Sequence, residues 1–257
     1  MSEYEKKYKR KKKLILFTQI LIFVLFITVW ELLAKYGMIN TFITSSPSNI
    51  IKTIVNLYNT NNLFNHIWVT LYETILAFTL TLIISILISI ILYKSDFLAK
   101  VIDPYLTLLN SLPKVALGPI LIIWIGANEK SIITMGILIT IIVSIQSIYN
   151  GFKNTPPVKI KLMQTFNASD KDIFLKLVFP QNIRTIVNTL KINTALCLVG
   201  IIMGEFLTSK AGIGYLILYG SQVFNLDLVM AGIFILIILS ILIYKIITYI
   251  EKRLEKY

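Results

Sequence analysis

Six apolar stretches separated by polar segments organise the chain. They cover residues 14–35, 69–93, 105–127, 131–149, 188–207 and 226–249. Each approaches the roughly 20 apolar residues that a helix needs to cross about 30 Å of hydrocarbon. The short alternating segments typical of transmembrane β-barrels are absent. The pattern therefore predicts an all-α integral membrane protein with about six transmembrane helices. A polar tail at 1–13 precedes a single membrane domain over 14–257.

The first apolar stretch follows a basic start, as a cleavable signal peptide would. Its apolar core is longer than the roughly 7–15 residues of a signal, and no small-residue cleavage site follows it. We therefore expect a retained membrane anchor. The composition agrees, since 56% of the residues are hydrophobic and the mean hydropathy is +0.77. Soluble domains are usually about 45–50% apolar.

The charge distribution predicts an orientation. The net charge is +12, and the tail carries seven basic residues: Lys6, Lys7, Lys9, Arg10, Lys11, Lys12 and Lys13. The segments that follow the second, fourth and sixth apolar stretches carry more basic residues, including Lys256. Together with Lys191 at the start of the fifth stretch and Lys245 near the end of the sixth, one predicted side carries 20 of the 25 basic residues. By the positive-inside rule, both termini and the polar segment 150–184 lie in the cytoplasm of a bacterial cell. We expect the tail to lie on membrane lipid, with no role in binding nucleic acid.

The polar segment between the fourth and fifth apolar stretches has the pattern of a helical hairpin. Pro156 and the proline after it suit the first turn of a helix. Val158, Leu162, Thr165 and Phe166 then share one face, with Met163 beside them. Asn167 follows, and asparagine tolerates the left-handed conformation that ends helices.

A second short helix is predicted directly after this turn. Ser169, with Asp172 three residues later, has the spacing of a capping box. The apolar face of this helix would consist of Ile173, Phe174, Leu177 and Val178, and Pro180 would end it. The hairpin is too short to span a membrane, and it carries an apolar stripe on a basic surface. This pattern is typical of a docking element for a cytoplasmic partner.

The hairpin resembles the cytoplasmic loop of the membrane subunits of bacterial ABC importers. That loop has the pattern Glu-Ala-Ala, three residues, Gly, nine residues, Ile-x-Leu-Pro. In this chain the corresponding positions hold Lys161-Leu162-Met163, Asn167, Leu177 and Phe179-Pro180. The spacing is complete, but only the proline is identical. The neighbouring Ala168-Ser169 is typical of one subgroup.

Further segments extend the resemblance from about residue 30 to residue 254. They resemble nitrate/sulfonate/taurine-type permeases in order and spacing: Trp30-Glu31, Ser46-Pro47-Ser48, Ser111-Leu112-Pro113, Gly118-Pro119, Trp124-Ile125-Gly126, Gly204-Glu205, Gly212-Ile213-Gly214-Tyr215 and the segment 227–232. The resemblance implies the type I ABC importer transmembrane fold and a permease subunit that forms the translocation path. The implied solute is a sulfonate-, nitrate- or taurine-like anion or a vitamin-related compound.

The same resemblance implies partners and a coupling loop. The partners are two ABC ATPase subunits, a second permease copy that forms a homodimer with this chain, and an extracytoplasmic solute-binding protein. The ATPase-coupling loop would consist of Lys161, Leu162, Met163, Phe166, Asn167, Ala168, Ser169, Phe174, Leu177, Phe179 and Pro180. Lys161 stands where the family has an acidic residue, so the polar contact with the ATPase is expected to differ.

The chain has no phosphate-binding loop of its own. The nearest segment, Glu129-Lys130-Ser131, lacks both glycines of the motif. We therefore expect no enzymatic activity and no cofactor, with ATP hydrolysed on a separate subunit. A secondary transporter driven by an ion gradient is the alternative. A membrane enzyme would need a cluster of His, Asp or Glu that this sequence does not supply.

Polar residues inside apolar stretches are candidates for the translocation path, because they are costly there unless they have a role or a partner. The candidates are Ser111, Pro113, Lys114, Gln146, Asn193 and Glu205. Lys114 follows a proline where a helix could be interrupted, and its charge would suit an anionic solute. His66, the single histidine, is expected on the surface. Gly212 and Gly214 are expected in a tight turn.

Overall fold

A computed structural model describes residues 3–60 and 62–254, without the side chains of residues 3–6, 9 and 254. Two basic side chains of the tail, Lys6 and Lys9, and the whole of Lys256 therefore lie outside the described residues. The chain order of the helices is α1 (Glu3–Lys35), α2 (Thr41–Thr44), α3 (Pro47–Asn59), α4 (Asn62–Lys94), α5 (Asp96–Ser111), a 3₁₀ turn (Lys114–Leu117), α6 (Gly118–Ile125), α7 (Glu129–Lys153), α8 (Pro157–Thr165), α9 (Asp170–Ile173), a π-helical turn (Phe174–Val178), α10 (Phe179–Gln181), α11 (Ile183–Thr208), α12 (Ile213–Gln222) and α13 (Leu226–Leu254).

The helices confirm the all-α membrane fold. Five described segments are long and apolar enough to cross a bilayer: Arg10–Lys35, Asn62–Lys94, Glu129–Lys153, Ile183–Thr208 and Leu226–Arg253. A sixth span results if α5 and the helical segment after it count as one. Large apolar side chains such as Ile123 and Trp124 are 80% and 78% exposed. Water would disfavour so much exposed apolar surface, whereas hydrocarbon does not.

The third apolar stretch is broken near its middle. The sequence predicts one span over 105–127, but the structure has two helical segments, Asp96–Ser111 and Lys114–Ile125, bent by 86°. Leu112, the residue before Pro113, has extended backbone angles of φ −68° and ψ 139°. A proline disfavours helical angles in the residue before it and has no N–H to donate, so the helix ends here.

The described contacts divide the chain into two units. The first comprises residues 1–63 and 217–233. In this unit the Glu31 carboxylate accepts a hydrogen bond from the backbone N–H of Ser48 at 3.0 Å. Ser46 caps α3 by accepting from the N–H of Asn49. The Ser45 hydroxyl donates to the Asp227 carboxylate at 2.6 Å. The first and last of these contacts join residues 17 and 182 positions apart in sequence.

The second unit comprises residues 64–216 and 234–257. Its centre is the contact between α7 and α11, where Gly136 and Gly200 allow the two backbones to approach closely. Small residues at helix interfaces favour such packing in membranes. Helix α4 packs beside them, with Thr81 hydrogen-bonded to Thr140 at 3.1 Å. The Ser89 hydroxyl donates to the carbonyl of Ile145 at 3.1 Å.

Candidate functional site

The predicted hairpin forms as two helical segments joined by a tight turn. Asn167 has a φ of +54°, the left-handed conformation that its sequence position predicts. The Ser169 hydroxyl accepts from the N–H of Asp172 and donates to its carboxylate at 2.6 Å. Ser169 is therefore the N-cap of α9, and the predicted capping pair is present. The carboxylate of Asp172 also pairs with Lys176 at 2.7 Å.

The second segment of the hairpin packs onto the ends of the membrane helices. Ile173, Phe174 and Val178 are buried, as their spacing predicts. The Phe174 ring lies 5.4 Å from that of Phe152 on α7 and 5.5 Å from that of Tyr93 on α4. Edge-to-face and tilted aromatic pairs at these distances stabilise the folded state by more than the burial of their apolar surface alone would. The aromatic cluster therefore fixes the hairpin to α4 and α7.

Pro180 does not end this helical segment, contrary to the prediction. The helix widens into a π-helical turn at Phe174–Val178, in which the N–H of Phe179 reaches the carbonyl of Phe174 five residues earlier. The helical run then continues through Pro180 to Gln181. Since Pro180 has no N–H, it cannot make the normal bond to the fourth preceding carbonyl, and the wider turn accommodates this loss.

The first segment of the hairpin keeps its apolar face open. Val158 and Phe166 are each 76% exposed, and Leu162 is 57% exposed. The opposite face packs inward, with Ile160 and Met163 against the buried cluster. A groove of about 880 Å³ lies beside the hairpin, between the end of α4 and the two segments. The hairpin thus presents exposed apolar side chains next to a concavity.

The remaining coupling-loop candidates divide between core and surface. Ala168, Leu177 and Phe179 are partly buried against the same cluster as Met163, while Lys161 is exposed. The exposed surface of the hairpin carries more basic than acidic side chains. One of the acidic ones is Asp172, and hydrogen bonds from Lys176 and Ser169 lower the pKa of its carboxyl group. Folded into this arrangement, the eleven candidates form one continuous element.

The structure does not bring the path candidates together at one place. Ser111, Pro113 and Lys114 lie at the break after α5, where the Lys114 ammonium donates to the Asn110 side-chain oxygen at 3.1 Å. Gln146 is half-buried on α7. Asn193 is enclosed between helices, where its amide donates to Ser144. The side-chain oxygen of Asn193 has no hydrogen-bond partner.

Glu205 is fully buried in a polar cluster that its sequence position does not predict. Its carboxylate accepts from the Thr70 hydroxyl at 2.6 Å and from the N–H of Gly214. A Cβ built on Gly214 would come within 2.6 Å of the same carboxylate, and one on Gly212 would overlap it. Gly212 also has a φ of +109°. The predicted tight turn is confirmed at Gly212, whereas Gly214 lies in the first turn of α12. The carboxylate is a reason for both glycines.

The prediction that His66 lies on the surface is wrong. Its ring is buried, 9% exposed, and lies 5.9 Å from the Tyr215 ring in a stacked arrangement. Its Nδ1 accepts the N–H of Gly212 at 3.0 Å. The next N–H of the turn, that of Ile213, goes to Thr70 at 2.8 Å. The turn therefore packs against α4 through successive backbone donors.

Besides Thr70, the residue of this cluster that the sequence analysis missed is Glu73. It is 2% exposed and lies on α4 next to Glu205. A signal existed in the sequence, because His66, Thr70 and Glu73 follow one another at i, i+4 and i+7 and so share a helix face. We call His66, Thr70, Glu73, Glu205 and the turn 212–215 the Glu205 cluster.

Comparison with known proteins gives a consistent result. A family model described as "Binding-protein-dependent transport system inner membrane component" matches residues 81–256. An ABC transporter permease protein of Haemophilus influenzae is 27% identical over 94% of this chain and 98% of its own length. The formylaminopyrimidine transport permease protein ThiX of Halalkalibacterium halodurans is 27% identical, over 91% and 93%. The aliphatic sulfonates transport permease protein SsuC of Bacillus subtilis is 23% identical, over 90% and 84%.

Solved structures agree on the fold. A chain of the MetNI methionine ABC transporter in an inward-facing conformation superposes with a TM-score of 0.66 and 17% identity, covering 76% of this chain and 97% of that one. A chain of a bacterial alginate ABC transporter, solved with an alginate-bound periplasmic protein, gives a TM-score of 0.66 at 14% identity. It covers 96% of both chains. The transmembrane fold is thus that of type I ABC importers.

Proposed function

We propose a mechanism and a solute class from the premise that this chain belongs to the family of binding-protein-dependent transport system inner membrane components. The chain is the permease subunit of an ABC importer, and the alternative of an ion-gradient-driven secondary transporter is not favoured. In the proposed mechanism, a separate ATPase subunit hydrolyses ATP and moves the hairpin. The helices attached to the hairpin then switch access to the solute path.

The observation that carries this proposal is the two-sided construction of the hairpin. One side is held by the aromatic cluster of Tyr93, Phe152 and Phe174, so that a push on the hairpin moves α4 and α7 with it. On the other side Leu162 and Phe166 are exposed. Large apolar side chains outside the bilayer are normally buried against the protein or a partner. An ATPase subunit that buries these two side chains would account for both sides.

The basic surface of the hairpin sets the polar part of the proposed contact. Lys161 is exposed beside Leu162, at the position where the family has an acidic residue. We expect an acidic residue on the ATPase opposite Lys161, because a rim charge steers association through complementary potential. By the positive-inside rule the hairpin and both termini would be cytoplasmic, as the ATPase requires.

The test of the docking proposal is co-purification with the cognate ATPase. Leu162→Asp and Phe166→Asp place a charge on the exposed face, where each is expected to leave folding intact and abolish ATPase recovery. Phe42→Asp, at a side chain that is 66% exposed outside the hairpin, is the matched control. Full ATPase recovery with both hairpin variants would contradict the proposal. A hairpin variant that loses the ATPase while its melting temperature stays at the wild-type value supports it.

The solute is proposed from the relatives and from one residue at the helix break. Permeases named for aliphatic sulfonates and for formylaminopyrimidine are among the relatives. Lys114 lies at the break, where a cation would attract a sulfonate, nitrate or taurine-like anion. Ser111, Pro113, Gln146, Asn193 and Glu205 stay predictions for the same path. Lys114→Gln is expected to slow uptake of an anionic solute, whereas Lys114→Arg should retain it.

Two further partners complete the proposed assembly. A second copy of this chain would form a homodimer, with two ATPase subunits below and an extracytoplasmic solute-binding protein above. The alginate transporter, solved with a periplasmic protein, supports the last of these by analogy of fold. Mass measurement of the intact detergent-solubilised complex tests this composition. Two permease chains with two ATPase chains are expected, and one permease chain per complex would contradict it.

A further inference from the structure

The carboxyl groups of the Glu205 cluster lie in an environment that two negative charges cannot share. Glu73 is 2% exposed and Glu205 is fully buried, and the two carboxyl groups are direct neighbours. No lysine or arginine of the described residues pairs with either group. Two like charges in contact, away from water and without a counter-charge, are strongly disfavoured.

The other titratable groups nearby do not supply the missing positive charge. His66 accepts the N–H of Gly212 at Nδ1, so this nitrogen carries no proton and the ring is neutral. Glu129, at the start of α7, adds a further negative field to Glu73 from the exposed surface. The pair must therefore be neutralised by something other than a side chain of this cluster.

The hydrogen bonds show which of the two carboxyl groups is ionised. Glu205 accepts from the Thr70 hydroxyl and from the N–H groups of Gly214 and Tyr215, three donors in all. These two backbone donors belong to the first turn of α12, where the helix dipole also favours a negative charge. Glu205 is thus in the environment of a carboxylate.

Glu73 is in the opposite environment. Its Oε2 is buried and has no donor to accept from. A buried carboxylate oxygen without a donor loses its hydration and gains nothing in return. A proton on Glu73 removes the charge that burial disfavours and gives this carboxyl group a donor, for which the neighbouring Glu205 carboxylate is an acceptor.

We propose that Glu73 and Glu205 bind one proton between them, carried on Glu73 and donated to the Glu205 carboxylate, and that this proton holds the turn 212–215 on α4. The site is a proton-binding site inside the membrane domain. Glu205 positions the turn by accepting hydrogen bonds from the backbone N–H groups of the turn. Glu73 in turn positions Glu205 by donating the shared proton to its carboxylate. Without the proton the two carboxylates would repel each other, and the hold of Glu205 on the turn would weaken, although the bonds to His66 and Thr70 would remain.

The first test is an infrared spectrum of the purified full-length chain at neutral pH. A protonated carboxylic acid has a carbonyl stretch that an ionised carboxylate lacks, and the wild-type chain is expected to show one. Glu73→Gln should remove this band. Glu129→Gln, at an exposed carboxylate of the same side-chain type, is the control and should leave the band unchanged. Absence of the band from the wild-type chain would overturn the proposal, as would its persistence in Glu73→Gln.

The second test separates the positioning role from simple packing. Glu73→Gln keeps a donor to Glu205, so its melting temperature should stay within about 2 °C of the wild-type value, whereas Glu73→Leu fills similar space without a donor and should melt lower. Glu205→Gln loses the charge that three donors serve, and we expect a fall of about 5 °C or more. Equal melting temperatures for Glu73→Gln and Glu73→Leu would overturn the positioning role. Neither test depends on ATPase docking or on transport.

Discussion

Replacing Gly200 by alanine tests the closest approach in the membrane domain. A Cβ at this position would lie 2.7 Å from the Cα of Gly136 and 3.0 Å from the carbonyl oxygen of Met135. Ordinary van der Waals contact begins at 3.4 Å, so α7 and α11 would have to separate by about 0.7 Å. The obstacle is backbone, which cannot rotate aside as a side chain can. Overpacking of this kind costs about 1–3 kcal/mol.

The sign of this effect distinguishes packing from helix propensity. Alanine favours a helix over glycine by about 1 kcal/mol, so propensity alone predicts stabilisation. Packing opposes this gain, so the net cost is about 0–2 kcal/mol. The melting temperature should therefore fall by up to about 8 °C, at the 2–4 °C per kcal/mol usual for a chain of this size. Thermal unfolding of the purified chain in detergent measures it. Val199→Ile adds one carbon on the exposed face of the same helix and should have no effect. A melting temperature of Gly200→Ala above the wild-type value would refute the reasoning.

Three further predictions follow from named contacts. Phe152→Ala should cost about 3–5 kcal/mol by leaving a cavity among the aromatic rings, and Phe152→Leu should cost less, as thermal unfolding would measure. The pKa of Asp172 is lowered by Lys176, so its stabilisation is complete above its ordinary value of about 3.9 and is lost as the pH falls below it. The protection factors of the amides at the start of α9, which are corrected for the intrinsic pH dependence of exchange, should therefore fall in acid, and Asp172→Asn should remove this dependence. Lys191 pairs with Glu251, and Lys191→Met should lower the free energy of unfolding by about 2–3 kcal/mol because it leaves the half-buried Glu251 carboxylate without its counter-charge. In a double-mutant cycle, the double variant with Glu251→Gln should recover most of this stability.

Features set by neighbouring residues could be predicted from the sequence. The apolar stretches predict the membrane helices, because hydrocarbon leaves a lipid-facing backbone few alternatives to a helix. Ser169 with Asp172 and the left-handed Asn167 were predicted from spacing and residue type alone. Gly212 and Gly214 likewise predict a turn. In each case the physical cause lies within a few residues of its effect.

Features set by distant residues could not be predicted in the same way. The bond from Thr70 to Glu205 joins positions 135 residues apart, and nothing local in either stretch indicates the other. His66 therefore looks like a surface residue until the turn at Gly212 is placed against it. The helix through Pro180 shows the same limit at short range, since proline usually ends a helix but a π-helical turn removes the conflict.

The most direct test of the central claim is solute uptake into proteoliposomes that contain the chain and its cognate ATPase. The solute-binding protein, loaded with a radiolabelled aliphatic sulfonate or formylaminopyrimidine, is added on the side opposite the ATPase. We expect uptake that requires ATP and the binding protein and that is lost in Phe166→Asp but not in Phe42→Asp. Uptake without ATP that follows an imposed ion gradient, and is unchanged in Phe166→Asp, would contradict the account.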